Sequence, residues 1–322
     1  MELPPALRQA VDAALAGLGV AELSRAAETL SLRYRGEVRD GRPHLCDDLA
    51  ARAYLAVRLP ATYAAIRSAV EEVGQARPDF SPQSVLDVGA GPGSAVWAAA
   101  GRWPSLNRAL LLEHSPAIRH WGERFTPGLA PIAVEWNAAD LATGLEGVEP
   151  RDLVLLAYVL DELAPEARAM LIDRLWTLTG DILLLVEPGT PAGWRRILAA
   201  RAQLISAGAY VLAPCPHAQA CPLVSPDWCH FVRRVARSRL HRLAKAGEVA
   251  WEDEKFIYLA VSRQPGAAGS ARVLAPPHPG SNRVALKLCL PDGTAKERLY
   301  TKREGELYKQ ARRADWGDTV PT

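Results

Sequence analysis

The stretch Ser84-Val-Leu-Asp-Val-Gly-Ala-Gly-Pro-Gly93 constrains the fold of this chain more than any other. It reads as a short apolar strand ending in an acid, a turn with three alternating glycines, and a helix opening at Ser94–Ala100. Glycine permits positive φ and lets the backbone approach a ligand with no Cβ in the way. The free N–H groups of a helix start can face a polar ligand. A Gly-x-Gly-x-Gly turn occurs in several nucleotide-binding folds, and its weight here comes from the strand before it and the helix after it. Taken alone, the same residues also describe an ordinary tight turn.

From Ser84 onward strand-like and helical segments alternate. The spacing predicts strands at Ser84–Val88, Ala109–Glu113, Ile132–Trp136, Leu153–Tyr158, Ile182–Val186, Tyr210–Ala213 and Phe256–Val261. Helices fall between the first five, for example over Glu166–Leu178 and Ala192–Ile205. Near-continuous apolar strands between amphipathic helices imply an α/β fold with a parallel sheet covered on both faces. In such sheets ligands sit outside the carboxyl ends of the strands, at the switch point.

Those ends carry a consistent residue set. Asp87 ends the first strand beside Gly89, Gly91 and Gly93. Glu113, followed by His114 and Ser115, ends the second and is placed to accept from ribose hydroxyls. Asp140 follows the third strand, placed to accept from an adenine amino group; Ala157 and Tyr158 end the fourth, ahead of Asp161 and Glu162. The arrangement resembles the class I S-adenosylmethionine-dependent methyltransferases over about Ser84 to Arg263. The resemblance implies glycines that approach the amino-acid part of the cofactor and an acid after the second strand that holds its ribose. A nicotinamide dinucleotide is the competing ligand, but its fingerprint is usually Gly-x-Gly-x-x-Gly. The spacing Gly89, Gly91, Gly93 favours the methyl donor.

Catalysis is less legible. Leu156-Ala-Tyr-Val-Leu-Asp-Glu162 contains no Asn-Pro-Pro-Tyr-like segment, which argues against the usual amino-methylating site on a base. No cysteine stands where a cytosine-C5 nucleophile is expected. Asp161 and Glu162 read equally as general bases and as carboxylates at a helix N-terminus. The catalytic residues are left unassigned.

Residues 1–80 read as helical, with apolar residues at helical spacing such as Val11, Leu15 and Leu18. Ser31–Gly36 and Asp40–Pro43 break that pattern and predict an interhelical loop rich in arginine. A chain of 322 residues, 49% hydrophobic and with net charge +2, is long enough for one large core and one or two smaller modules. No uncharged apolar run approaches the ~20 residues of a membrane span, and the N-terminus lacks a secretory pattern. Cytoplasmic location and no membrane partner are the expectations. Five cysteines in a reducing compartment argue against a disulfide framework.

Three of the five fall in Pro214-Cys-Pro-His-Ala-Gln-Ala-Cys-Pro-Leu-Val-Ser-Pro-Asp-Trp-Cys-His-Phe231. Cys215, Cys221 and Cys229 share a proline-rich loop and would converge only if it wrapped around a centre. Thiolates suit zinc or an iron–sulfur cluster, and three separately buried cysteines are the plain alternative. His217, His230 and Cys289 are candidate fourth ligands; Cys46 reads as a core residue or bystander. Arg233, Arg234, Arg237, Arg239, His241, Arg242 and Lys245 form a basic, helix-like run, and Lys302, Arg303, Lys309, Arg312 and Arg313 a second basic set. Basic side chains bind phosphates with little sequence information, although a charge run is more often a solvated face. Trp228 and Trp251 are expected in the core. Gln264–Pro279 reads as a linker, and Pro291-Asp-Gly-Thr294 as a hairpin turn between Arg283–Leu290 and Arg298–Lys302.

The Cys-Pro-His, Cys-Pro-Leu and Asp-Trp-Cys-His-Phe segments resemble the mitochondrial small-ribosomal-subunit methyltransferase-like family and its bacterial relatives. Arg237-Ser-Arg-Leu-His241, Trp251-Glu-Asp-Glu-Lys-Phe256, Val186-Glu-Pro-Gly-Thr-Pro191 and Tyr308–Asp318 carry the same resemblance. It implies a four-iron, four-sulfur cluster on Cys215, Cys221, Cys229 and Cys289, with zinc as the alternative metal. It implies association with the small ribosomal subunit or its rRNA, with no DNA expected. The domain organisation expected is a helical region at 1–80, an S-adenosylmethionine-binding domain at 81–263 with an insertion at 214–254, and a small β-rich module at 270–318. The function expected is small-subunit assembly, rRNA methylation or both. The alternatives are a non-enzymatic, cluster-dependent assembly factor and a zinc-stapled methyltransferase on another substrate.

Overall fold

A computed structural model describes residues 1–36, 44–139, 145–245, 248–266 and 270–321. Four helices come first: α1 (Pro5–Leu15), α2 (Val20–Arg35), α3 (Asp48–Val57) and α4 (Leu59–Ala76). In α1 the residues at helical spacing, Leu7, Val11, Ala14 and Leu15, are the buried ones. Asp47 caps α3 by accepting from the Ala50 N–H at 2.8 Å. α4 buries most of its length because Ala61, Ala64, Ala65, Ala69 and Gly74 let it lie close to its neighbours. The predicted interhelical loop is corrected in part: Ser31–Arg35 complete α2, and residues 37–43 lie outside the described residues.

The central sheet contains β1 (Ser84–Val88), β2 (Arg108–Leu112), β3 (Ala133–Asn137), β4 (Arg151–Ala157), β5 (Thr179–Pro188), β6 (Tyr210–Ala213), β7 (Phe231–Ala236) and β8 (Trp251–Ser262). Its order is β3-β2-β1-β4-β5-β8-β6, with β7 added to β8. β1 to β5 run parallel, and β8 is antiparallel to β5, β6 and β7. Helices α5 (Ser94–Ala100), α6 (Pro116–Phe125), α7 (Pro165–Thr177) and α8 (Pro191–Ser206) follow β1, β2, β4 and β5 in the chain. This is the class I methyltransferase, Rossmann-like arrangement, and the order reverses between β1 and β4, which puts the ligand crevice at their carboxyl ends.

Two expectations fail here. The sheet is not wholly parallel, since its last strand pairs run antiparallel. The basic run is not one helix: Phe231–Ala236 is β7, and only α9 (Arg239–Ala244) is helical. Its alternation of Phe231 and Val235 inward suits a strand paired with β8, and Arg234 faces Asp253 across that pair.

The C-terminal residues form a five-stranded antiparallel sheet of β9 (Ser270–Val273), β10 (His278–Gly280), β11 (Arg283–Cys289), β12 (Ala295–Thr301) and β13 (Thr319–Pro321), with α10 (Glu306–Arg313) against it. β9 and β10 lie in the stretch expected as linker. The hairpin turn occurs as expected, with Gly293 at φ +82° and the Thr294 N–H donating to Asp292 at 2.9 Å. Val284, Leu286 and Leu288 alternate inward to a core of their own with Val273 and Tyr300. A separate apolar cluster of Trp194, Leu223, Leu274 and Cys289 joins this sheet to α8 and the insertion.

Candidate functional site

Two cavities hold the residues singled out in the sequence. The larger, about 340 Å³, opens at the carboxyl ends of β1, β2 and β4. Gly89 and Gly91 line it with positive φ (+67° and +55°). A Cβ on Gly89 would collide with Val159, whereas one on Gly91 would meet open space, so the turn presents bare backbone to the cavity. Glu113 fixes the turn: its carboxylate accepts from the Gly91 N–H at 2.8 Å and the Ser115 N–H at 2.7 Å. His114, Ala157 and Tyr158 line the same cavity.

Asp87 and Gly93 do not line it. Asp87 is buried behind the turn, its Oδ2 without a hydrogen-bond partner among the described residues, as is the Ser94 hydroxyl. Burial, with Glu113 nearby, pushes the Asp87 carboxyl up to about 7. Gly93 is buried against Leu111, Val96 and Trp136. Asp140 lies outside the described residues. Asp161 and Glu162 line the cavity in the turn before α7, whose first-turn acid is Glu166, so neither is a helix-end carboxylate.

The other wall comes from residues sequence reasoning did not single out. Tyr34 of α2, Tyr54 of α3 and Arg58 between α3 and α4 face the glycine turn across the cavity. Glu254 of β8 accepts from the Tyr158 hydroxyl at 3.1 Å and from the Arg58 guanidinium at 3.4 Å. Tyr158 holds a left-handed backbone, φ +59°, which a non-glycine residue adopts only when its surroundings enforce it. Burial raises the Tyr34, Tyr54 and Tyr158 phenols above their ordinary range. The signal available was aromatic and charged residues on otherwise apolar helices, which does not by itself locate a site.

The second cavity is small, about 30 Å³, and nearly all apolar. Cys215, Cys221, Cys229 and Cys289 all border it, the last from β11 of the C-terminal sheet. Burial raises the Cys215 and Cys229 thiols, and pushes Cys289 up to about 12 with the neighbouring thiols adding to it. Cys289 Sγ stands 3.4 Å from His217 Nε2. Two buried guanidiniums flank the thiols. Arg201 donates to the His217 carbonyl at 2.7 Å; Arg272 donates to the Pro214 and Gly317 carbonyls and pairs with Glu72. Among the described residues no three His, Cys, Asp or Glu side chains close on a point that could hold a single metal ion. His230 stacks on Trp228 instead of lining the cavity, and Cys46 is exposed elsewhere.

The basic run is divided in function. Arg233 donates to Ser68 at 2.8 Å, Arg234 pairs with Asp253, and Arg237 and Lys245 converge on Glu252 beside the buried His241. Arg239 and Arg242 are exposed on α9. Trp228 is half-buried, but Trp251 is 41% exposed, against expectation. Among the described residues no helix is long and apolar enough to cross a membrane.

A profile of the family described as mitochondrial small ribosomal subunit Rsm22 matches residues 48–321. The ribosome assembly protein METTL17, mitochondrial, of Homo sapiens is 31% identical over an alignment of 289 residues, covering 83% of this chain and 62% of that protein. The Rsm22-cox11 tandem protein 2, mitochondrial, of Schizosaccharomyces pombe is 23% identical over 321 residues, covering 84% of this chain and 43% of that protein. The chain thus spans less than two thirds of the length of either relative. Among solved structures, an O-methyltransferase family protein from Burkholderia thailandensis is similar over 77% of this chain and 72% of its own, at 16% identity and a TM-score of 0.46.

Proposed function

This chain belongs to the mitochondrial small ribosomal subunit Rsm22 family, and from that premise we propose a methyltransferase-like protein that serves small-subunit assembly, binds S-adenosylmethionine, carries a four-iron, four-sulfur cluster and contacts rRNA. The observation that carries the reading is the meeting of four thiols, remote in sequence, at one apolar cavity between α8, the insertion, β8 and the C-terminal sheet.

The cofactor site fits the residues present. Bare backbone at Gly89 and Gly91 takes the amino-acid part, and Glu113, whose carboxylate oxygens keep free lone pairs, accepts from the ribose hydroxyls. When bound, the cofactor supplies an electrophilic methyl group. Tyr158, Glu254 and Arg58 form a hydrogen-bonded group on the cavity wall, and methyl transfer to rRNA is the further reading.

The thiol cavity fits a soft, electron-rich centre. Its donors are thiols, and the buried guanidiniums Arg201 and Arg272 offset thiolate charge. Four thiols around a shared cavity suit an iron–sulfur centre, with zinc as the alternative metal. Raised thiol pKa values mean that loading releases protons and strengthens with pH. Exposed Arg239, Arg242, Lys302 and Arg303 supply phosphate contacts. The setting we propose is a reducing, ribosome-building compartment, cytoplasm or mitochondrial matrix, with neither membrane nor DNA as partner.

Metal and sulfide analysis of anaerobically purified protein tests the central claim: brown protein with iron and sulfide, lost on Cys215→Ser, is expected. Colourless protein with stoichiometric zinc overturns it. Absence from small-subunit precursors in salt-matched cosedimentation removes the ribosomal claim. Methyl transfer to subunit precursors, with Asp87→Ala and Glu113→Ala as controls, separates enzyme from assembly factor.

A further inference from the structure

We propose that the outer face of the β7–β8 ribbon is a binding site for an unpaired nucleobase, with Trp251 as its stacking platform, so that the RNA taken there is single-stranded. This rests on the reading that the protein contacts RNA and says where and in what form.

The placement follows from the strand register. Arg234 lies opposite Asp253, and Ala236 opposite Trp251, so these four residues share one face of the ribbon. The opposite face carries Phe231, Val235, Glu252 and Glu254 and turns toward the protein interior. Trp251 is the unusual member of the outer face. A tryptophan is ordinarily well buried, yet this one stays 41% exposed. The Arg234 guanidinium sits 3.7 Å from its ring centroid, and Asp253 holds that guanidinium at 2.9 Å. One side of the indole is therefore backed by an oriented cation, and the exposed remainder of the ring faces solvent. The cross-strand neighbour of Trp251, Ala236, is small.

Charge complementarity selects the occupant. The ribbon ends at the bond from the Arg237 N–H to the Ala250 carbonyl, and α9 starts two residues further on with Arg239 and Arg242 exposed. Both cations thus stand at the same end of the ribbon as Trp251. An aromatic plane beside cations that follow a backbone is how proteins hold single strands: every base has a π face, and phosphates are met by arginine. In a duplex the bases are already stacked on each other, so the indole has nothing to receive.

The test uses the full chain and fluorescently labelled RNA of about ten nucleotides, within the range a single stacking groove covers, as a single strand and as a duplex. Trp251→Ala is expected to weaken single-strand binding roughly 5- to 150-fold, the range for losing one base stack. Trp251→Phe is expected to recover most of it, and duplex binding to change little. The salt dependence of Trp251→Ala should match the parent, while Arg239→Ala with Arg242→Ala should lower its slope by about 1.4. Circular dichroism of each variant guards against misfolding. Undiminished single-strand binding by Trp251→Ala overturns the proposal alone. Equal loss on single strand and duplex, or a self-association that disappears in Trp251→Ala with RNA binding intact, also overturns it. Failure of the parent to bind either RNA overturns it together with the RNA reading.

Discussion

The larger cavity takes its polar floor from the ends of adjacent strands β1, β2 and β4, whereas the thiol cavity draws on α8, the insertion, β8, β9 and β11. In the first, the floor residues lie where the alternation of strand and helix already puts them, and α2 to α4 with β8 add the far wall. In the second, partners such as His217 and Cys289 are 72 residues apart and meet only because the C-terminal sheet is docked. The comparison teaches that one site is a local property of a sheet edge and the other a property of closure. Damage to the first should stay local. Damage to the second should loosen the molecule.

The largest effect is expected from Cys289→Ser. Metal and sulfide content should fall to a small fraction of the parent's, and limited proteolysis should cut the chain between the main sheet and β11, because metal-binding free energy is folding free energy. Affinity for S-adenosylmethionine by calorimetry should hold within about twofold. Simultaneous loss of cofactor binding would erase the distinction between the sites.

Arg272→Ala comes next. It strands Glu72 and removes donors from the Pro214 and Gly317 carbonyls, and breaking a buried pair of this kind costs about 3–5 kcal/mol. Urea unfolding measures it, and a change under 1 kcal/mol would show that closure does not depend on this hub.

For the polar cavity the larger effect is electrostatic. The Asp87 carboxyl is raised from 3.8 to about 7 by burial. Between those values the native chain holds a proton that the unfolded chain has lost, so stability is fully present below about pH 4 and declines as pH rises through 7. Asp87→Asn should remove about 4 kcal/mol of that decline between pH 4 and 8, measured by urea unfolding of the ligand-free protein. An unchanged pH slope would show that Asp87 is not the buried acid responsible. The smallest effect is expected from Glu113→Gln: about tenfold weaker cofactor binding, for the loss of charge-assisted hydrogen bonds, at nearly unchanged stability.

The same contrast explains what the sequence disclosed. β1 and the glycine turn were legible because apolar strand, acid and glycines are contiguous, and Tyr210–Ala213 matched a strand residue for residue. β7 was not, because arginines at 233, 234 and 237 suit a solvated helix until Asp253 and Glu252 are brought alongside them, and those lie on a strand beyond α9. β9 and β10 were hidden in proline- and glycine-rich chain, and their partners β11 and β13 lie further along the sequence. Tyr34, Tyr54 and Arg58 gave no local sign that α2 to α4 complete the polar cavity. The four thiols came from family resemblance, since spacing alone left Cys289 one candidate among three.

β8 belongs to both compartments. It gives Glu254 to the polar cavity and, from three residues further along, Ile257, Tyr258 and Leu259 to the thiol cavity. From Phe256 to Ser262 it is laced to β5 by an unbroken ladder. It is a party wall between two tenants, with Glu254 on one side and Tyr258 on the other.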